Sequence, residues 1–187
     1  MTLKFMTFAY ADPPYYNQGK RKYSEYHPEA DKWDDKEAHK ELINKLTQEY
    51  PDGWALSCNP ADLVWLLPIC PDNVRVCAWV KTFHQIFPTT IQHAWEPVLV
   101  CGGRKDNKRK PMVKDWLMCA RTNRMGLPGA KPHAFNKWIL DLLNFRKGDA
   151  LIDLFPGTNG MQKAINVKQC QGEQQILSKQ SEERTTE

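Results

Sequence analysis

No apolar run in the 187 residues approaches the roughly 20 needed to cross a bilayer, so no transmembrane helix is expected. The opening Met1-Thr2-Leu3-Lys4-Phe5 runs into a strand-like stretch and lacks the pattern of a signal peptide, which predicts a soluble, cytoplasmic protein. Cysteine occurs six times (Cys58, Cys70, Cys77, Cys101, Cys119, Cys170) but never as a C-x-x-C pair. Several lie in apolar runs such as Val76-Cys77-Ala78, so buried reduced thiols are expected and a zinc site is not. The five histidines (His27, His39, His84, His93, His133) form no H-x-x-H pattern, and no metal is expected. A G-x-S-x-G elbow, a Walker A lysine loop, a Cys-His nucleophile pattern and internal repeats are all missing.

Hydrophobic residues make up 41% of the chain, enough for one packed domain of this length. The net charge of +4 is mild, but its distribution is uneven. Arg104, Lys105, Lys108, Arg109, Lys110 and Lys114 face a single acid, Asp106, and Lys20-Arg21-Lys22 forms a second basic cluster. Such loops suit phosphate contact; they equally suit a solvated surface.

Leu3 to Tyr10 reads as a buried strand that stops at Asp12-Pro13-Pro14, because two prolines cannot continue a ladder. The aromatic-dotted segment Tyr15 to Asp34 is too long for a simple connection and invites a functional reading. Asp34 and Glu37 have capping-box spacing before a helix with the stripe Ala38, Leu42, Ile43, Leu46, Tyr50. Trp54 to Cys58 reads as a strand, Asn59 as the cap of a short helix with Pro60 first, and Val74 to Val80 as a buried strand. Trp95 to Cys101 is a further strand, and Pro97 within it predicts an edge or irregular position. Gly102 to Leu127 reads as a basic excursion with a short element near Trp116. Pro132 opens a helix, Ala150 to Phe155 is a strand, Pro156 to Asn159 a tight loop, and Gly160 to Val167 the start of a helix. The predicted domain spans residues 1–167, and the polar stretch 168–187 reads as a frayed tail.

Strands alternating with helices predict an α/β three-layer sandwich with a mostly parallel sheet, whose ligands bind beyond the carboxyl ends of the strands. Two strands end in unusual loops there. In Asp12-Pro13-Pro14-Tyr15, the Asp12 carboxylate and the Pro13 carbonyl can accept both hydrogens of an exocyclic amine. The prolines hold the acceptors rigid, and Tyr15 offers a stacking face to a base swung out of its helix. An ordinary turn has the same sequence. In Asp153-Leu154-Phe155-Pro156-Gly157-Thr158-Asn159-Gly160, small residues after a strand let backbone approach a ligand, and a tight turn is again the plain alternative.

The D-P-P-Y strand end, the later Lys131-Pro132 helix and the D-x-F-x-G loop together resemble amino-methyltransferases of the permuted, β-type order, in which the catalytic motif precedes the cofactor motif. The likeness is nearest to short phage-type DNA N6-adenine methylases and covers roughly residues 5 to 165. It implies a Rossmann-like fold, permuted and shortened, that binds S-adenosylmethionine without a metal. By position, Asp12, Pro13, Pro14 and Tyr15 would hold the target amine and base. Asp153, Phe155, Gly157, Thr158 and Asn159, with Lys131 and Pro132 beside them, would line the cofactor pocket. Lys20, Arg21, Lys22, Arg104, Lys105, Lys108, Arg109 and Lys110 would meet DNA, or RNA by the same chemistry. Asn159 stands where the family has a second glycine, and strands that would carry a ribose-binding acid after Val167 are missing. A catalytically silent DNA-binding or decoy protein is the alternative reading. Outside the motifs, Lys81 could meet a phosphate, Glu96 could order the site or form a simple salt bridge, and Trp79 reads as core.

Overall fold

In β1 (Thr7–Ala11) successive side chains alternate between two buried faces, Phe8 and Tyr10 to one and Ala9 and Ala11 to the other. A strand buried on both sides must lie inside a sheet covered on both faces. The computed structural model describes residues 4–82, 86, 88–105, 112–121 and 130–170, and places β1 in that position. The other strands are β2 (Gly53–Ser57), β3 (Arg75–Lys81), β4 (Trp95–Gly102), β5 (Trp116–Cys119) and β6 (Ala150–Asp153). They form a six-stranded sheet in the order β5-β3-β4-β2-β1-β6. β1 pairs in parallel with β2 and β6, β3 pairs in parallel with β5, and β4 runs against both its neighbours, β2 and β3. The expected mostly parallel sheet is present, with β4 as the reversed strand.

The helices are α1 (Gly19–Tyr23), α2 (Lys36–Glu49), α3 (Leu63–Leu66), α4 (His133–Leu142) and α5 over 160–170. Phe135, Trp138, Ile139 and Leu143 of the α4 region, with Met161, Ala164 and Ile165 of α5, cover the Phe8 and Tyr10 face. Leu42, Ile43 and Leu46 of α2 and Leu66 of α3 cover the Ala9 and Ala11 face. Burial of each large apolar side chain contributes about 1.5–3 kcal/mol, and three layers result. None of the described helices is long and apolar enough to cross a membrane.

Several expectations are corrected. β4 is an interior strand, not an edge one. Its Pro97 is tolerated because its carbonyl accepts from Cys58 N–H just past the end of β2. In an antiparallel ladder the missing N–H points to the same side, where the strand partner has already ended. Helix α2 is capped by Asp35, whose carboxylate accepts from Glu37 N–H, rather than by Asp34. Asp34 instead accepts the N–H groups of Gly19 and Lys20 at 2.7 and 3.0 Å. Helix α5 extends to residue 170, past the predicted boundary, and Lys168 reaches Asp141 at 2.5 Å; residues 171–187 lie outside the described residues. All six cysteines are free, but only Cys58 and Cys77 are fully buried.

Arg104, expected at nucleic acid, is committed to the fold. Its guanidinium lies 2.5 Å from Asp149 and donates to the Lys4 carbonyl at 3.1 Å. Asp149 also accepts from the N–H groups of Met6 and Arg146, so one buried carboxylate ties the strand entrances of β1 and β6 to the end of β4. Replacing Asp149 with Ala strands a cation and two backbone donors. Urea unfolding is expected to show a loss of about 3–5 kcal/mol; a loss under about 1 kcal/mol would remove this tie from the account.

Candidate active site

Strand β1 ends at Ala11, and Pro13 and Pro14 take the chain out of the sheet, leaving Asp12 at its carboxyl edge. Lys131, just before α4, lies 2.8 Å from Asp12 Oδ1 although 119 residues separate them. The same ammonium is 3.4 Å from the Tyr15 hydroxyl and 3.6 Å from Glu96 Oε2. Tyr15 O–H donates to Glu96 Oε2 at 2.8 Å, and Lys81 meets Glu96 Oε1 at 2.5 Å. Ser57 on β2 has its hydroxyl oxygen 2.9 Å from the Tyr10 hydroxyl and also helps to lower the Asp12 carboxyl. Two carboxylates and two lysines thus share one end of the sheet, with neutral hydroxyls filling the remaining positions.

Burial shifts these groups in different directions. The Asp12 carboxyl is pushed up by burial, and the attraction of Lys131 offsets this only in part. Burial also pushes Glu96 up, but Lys131 and Lys81 outweigh it and bring Glu96 down to about 2. For Lys131 burial favours the neutral amine, yet Asp12 and Glu96 more than compensate and raise it above the ordinary lysine value. Burial and the nearby Glu96 and Asp12 carboxylates hold Tyr15 well above the ordinary phenol value, so it stays a donor.

A cavity of about 530 Å³ joins Asp12 and Lys131 to the loop after β6, where Asp153, Phe155, Gly157 and Thr158 form its wall. Asn159 takes a left-handed backbone with φ 57°, so the residue that replaces a glycine keeps the turn. The opposite wall comes from the long segment after Tyr15, which is ordered as α1 and a 3₁₀ turn over Ala30–Asp34. A Cβ on Gly19 would sit 1.9 Å from the Ala30 carbonyl oxygen, so only glycine allows these two pieces to pack. Trp33 lies edge-on to Phe155 at 5.0 Å and to His39 at 5.3 Å, pinning the segment to both the loop and α2. Burial pushes the Asp153 carboxyl up to about 6, even though it accepts from Phe155 N–H at 3.1 Å.

Of the eleven residues expected in the catalytic and cofactor motifs, seven converge. Asp12, Pro14, Lys131, Asp153, Phe155, Gly157 and Thr158 line the one cavity. Pro13, which is buried, Tyr15, Asn159 and Pro132, the N-cap of α4, do not contribute cavity wall. Lys20, Arg21, Lys22 and Lys105 are exposed, while Lys108, Arg109 and Lys110 lie outside the described residues. Lys81 is corrected: with its side chain 8% exposed and paired to Glu96, it is not available to a phosphate. Glu96 does join the site, and Trp79 is core at 2% exposure. Tyr23 and Trp33 in the cavity wall had no signal beyond the aromatic character of their segment.

No protein-family model matches the chain, and no curated protein does. Among solved structures, the crystal structure of the M1.HpyAVI–SAM complex is similar, with a TM-score of 0.61 at 15% sequence identity. The match covers 88% of this chain and 79% of that one. The fold is therefore of the shortened, Rossmann-like α/β class that the motif resemblance implies.

Asp153 titrates at about 6 in the fold against 3.8 ordinarily, so the folded state binds its proton more tightly. Its contribution to stability is then fully present below pH 4 and is lost as pH rises through about 6. Asp153→Asn keeps the acceptor for Phe155 N–H and removes the charge. Relative to wild type, the variant is expected to gain about 1–3 kcal/mol between pH 4 and pH 8 in urea titrations. An equal difference at both pH values would contradict the buried-carboxyl assignment.

Proposed function

We propose that this protein transfers a methyl group from S-adenosylmethionine to an exocyclic amino group of a nucleic-acid base, with N6 of adenine in DNA as the target. The observation that carries this reading is the single cavity linking Asp12 to the 153–160 loop. Its volume of about 530 Å³ is in the ordinary range for a cofactor pocket. Asp12 and Asp153 suit the positive charges of such a cofactor, Lys131 suits its carboxylate, and the Trp33 and Phe155 rings suit its planar base. The cofactor supplies a methyl group on a sulfonium, which an amine nitrogen takes directly as the carbon–sulfur bond breaks.

The residues then have distinct work. A carboxylate has several lone-pair sites, so Asp12 can keep its bond to Lys131 and still accept an amine hydrogen. The Pro13 carbonyl takes the second hydrogen, which turns the nitrogen lone pair toward the methyl group. Asp12 receives the proton that the methylated nitrogen sheds, and its burial raises its affinity for that proton. The Tyr15 ring, fixed through its hydroxyl, stacks on the flipped base. Lys20, Arg21, Lys22 and Lys105 are exposed cations for phosphates, with Lys108, Arg109 and Lys110 continuing the basic segment in sequence.

The test is to incubate the protein with methyl-labelled S-adenosylmethionine and DNA, or RNA in parallel, and digest to nucleosides. Label is expected in N6-methyladenine from DNA and should fall by at least about 10²–10³ in Asp12→Ala. Label in cytosine or in RNA alone keeps the reaction and changes the target. No label on either, with no heat of cofactor binding, contradicts the reading and favours a silent nucleic-acid-binding protein.

A further inference from the structure

Glu96 lies outside both motif loops, yet the reversal of β4 brings it to them. Strands β1, β2 and β3 finish at the edge of the sheet where Asp12 sits, and only an antiparallel strand has its first residues there. The register pairs Glu96 with Trp79 and Trp95 with Val80, near the end of β3. Both Glu96 oxygens are engaged: Oε1 by Lys81, Oε2 by Tyr15 at 2.8 Å and by Lys131 at 3.6 Å. The side chain is 19% exposed and both lysine side chains 8%, so water screens these charges poorly.

We propose that Glu96 is a positioning residue, which holds the Tyr15 ring by its hydroxyl and shares Lys131 with Asp12 so that Asp12 retains a free acceptor for substrate. This rests on Asp12 being the amine-holding carboxylate. Lys131 stands between the two anions, and its ammonium also lies 5.6 Å from the Tyr15 ring centroid. Without the Glu96 charge, Lys131 has only Asp12 to pair with, and Lys81 loses its partner. Asp12 is then more fully neutralised and Tyr15 is no longer held. The titratable groups facing Glu96 are Tyr10 and Asp12 at the end of β1, Tyr15, Lys22 and Tyr23 after it, Cys58 after β2, Lys81 on β3 and Lys131 before α4. Glu96 raises Asp12, Tyr10, Tyr15 and Tyr23 by repulsion, so removing its charge should lower all four.

Glu96→Gln keeps the shape and an acceptor for Tyr15. S-adenosylhomocysteine affinity, by calorimetry, is expected within about twofold of wild type. The single-turnover methyl-transfer rate should fall at least about tenfold, with the acid limb of its pH profile moved to lower pH. Ultraviolet titration should show tyrosine ionising earlier than in wild type, and adding Tyr15→Phe should remove the Tyr15 part of that shift while leaving the smaller ones of Tyr10 and Tyr23. A wild-type rate and pH limb, or no change in tyrosine titration, overturns the proposal. Should Glu96→Gln fail to fold, Glu96→Gln/Lys81→Met removes one charge of each sign. That double variant folded but slow supports the assignment, and folded at wild-type rate overturns it. The tyrosine titration needs no turnover, so it decides the placement of Tyr15 even if wild type transfers no methyl group.

Discussion

Lys131 is held between Asp12 and Glu96 at the carboxyl end of the sheet, and the candidate site is built around that arrangement. Two carboxylates so close and so little exposed would repel each other and take up a proton if left alone. The two ammonium groups, Lys131 and Lys81, keep both ionisable without exposing either to bulk water. Each member comes from a different part of the fold: the β1 exit, the start of reversed β4, the end of β3 and the approach to α4. The sheet must therefore be complete before the site exists.

The same geometry explains why one cavity serves both halves of the site. β6 pairs with β1 in parallel, so the residues after Asp153 and after Ala11 emerge side by side. The segment carrying Tyr23 and Trp33 then closes over them, fastened by Asp34 to the start of α1 and by Trp33 to Phe155. Its role as a wall follows from these ties. A loop of this length without them would cost conformational entropy with little return.

Local patterns in the sequence carried much of this. Apolar runs ending at turn residues mark the buried strands, Asn59 caps its turn as its side chain requires, and Asn159 adopts the left-handed backbone that its chemistry tolerates. The failures are long-range. Pro97 read as an edge signal because the end of β2 beside it cannot be seen along the chain. Arg104 read as a phosphate contact because its basic neighbours are visible and Asp149, 45 residues away, is not. Lys81 failed for the same reason, its partner Glu96 lying on the neighbouring strand. The motif resemblance puts Lys131 beside the 153–160 loop, and its bond to Asp12 appears only in three dimensions.

Asp12 and the 153–160 loop are proposed to form one cofactor site. A crystal structure of the protein with S-adenosylhomocysteine tests it most directly. The ligand is expected in the cavity between Asp12 and Gly157, with its sulfur turned toward Asp12 and its adenine against Phe155 or Trp33. Ligand bound elsewhere, or a cavity left empty at saturating ligand in a crystal whose packing leaves it open, would contradict the claim.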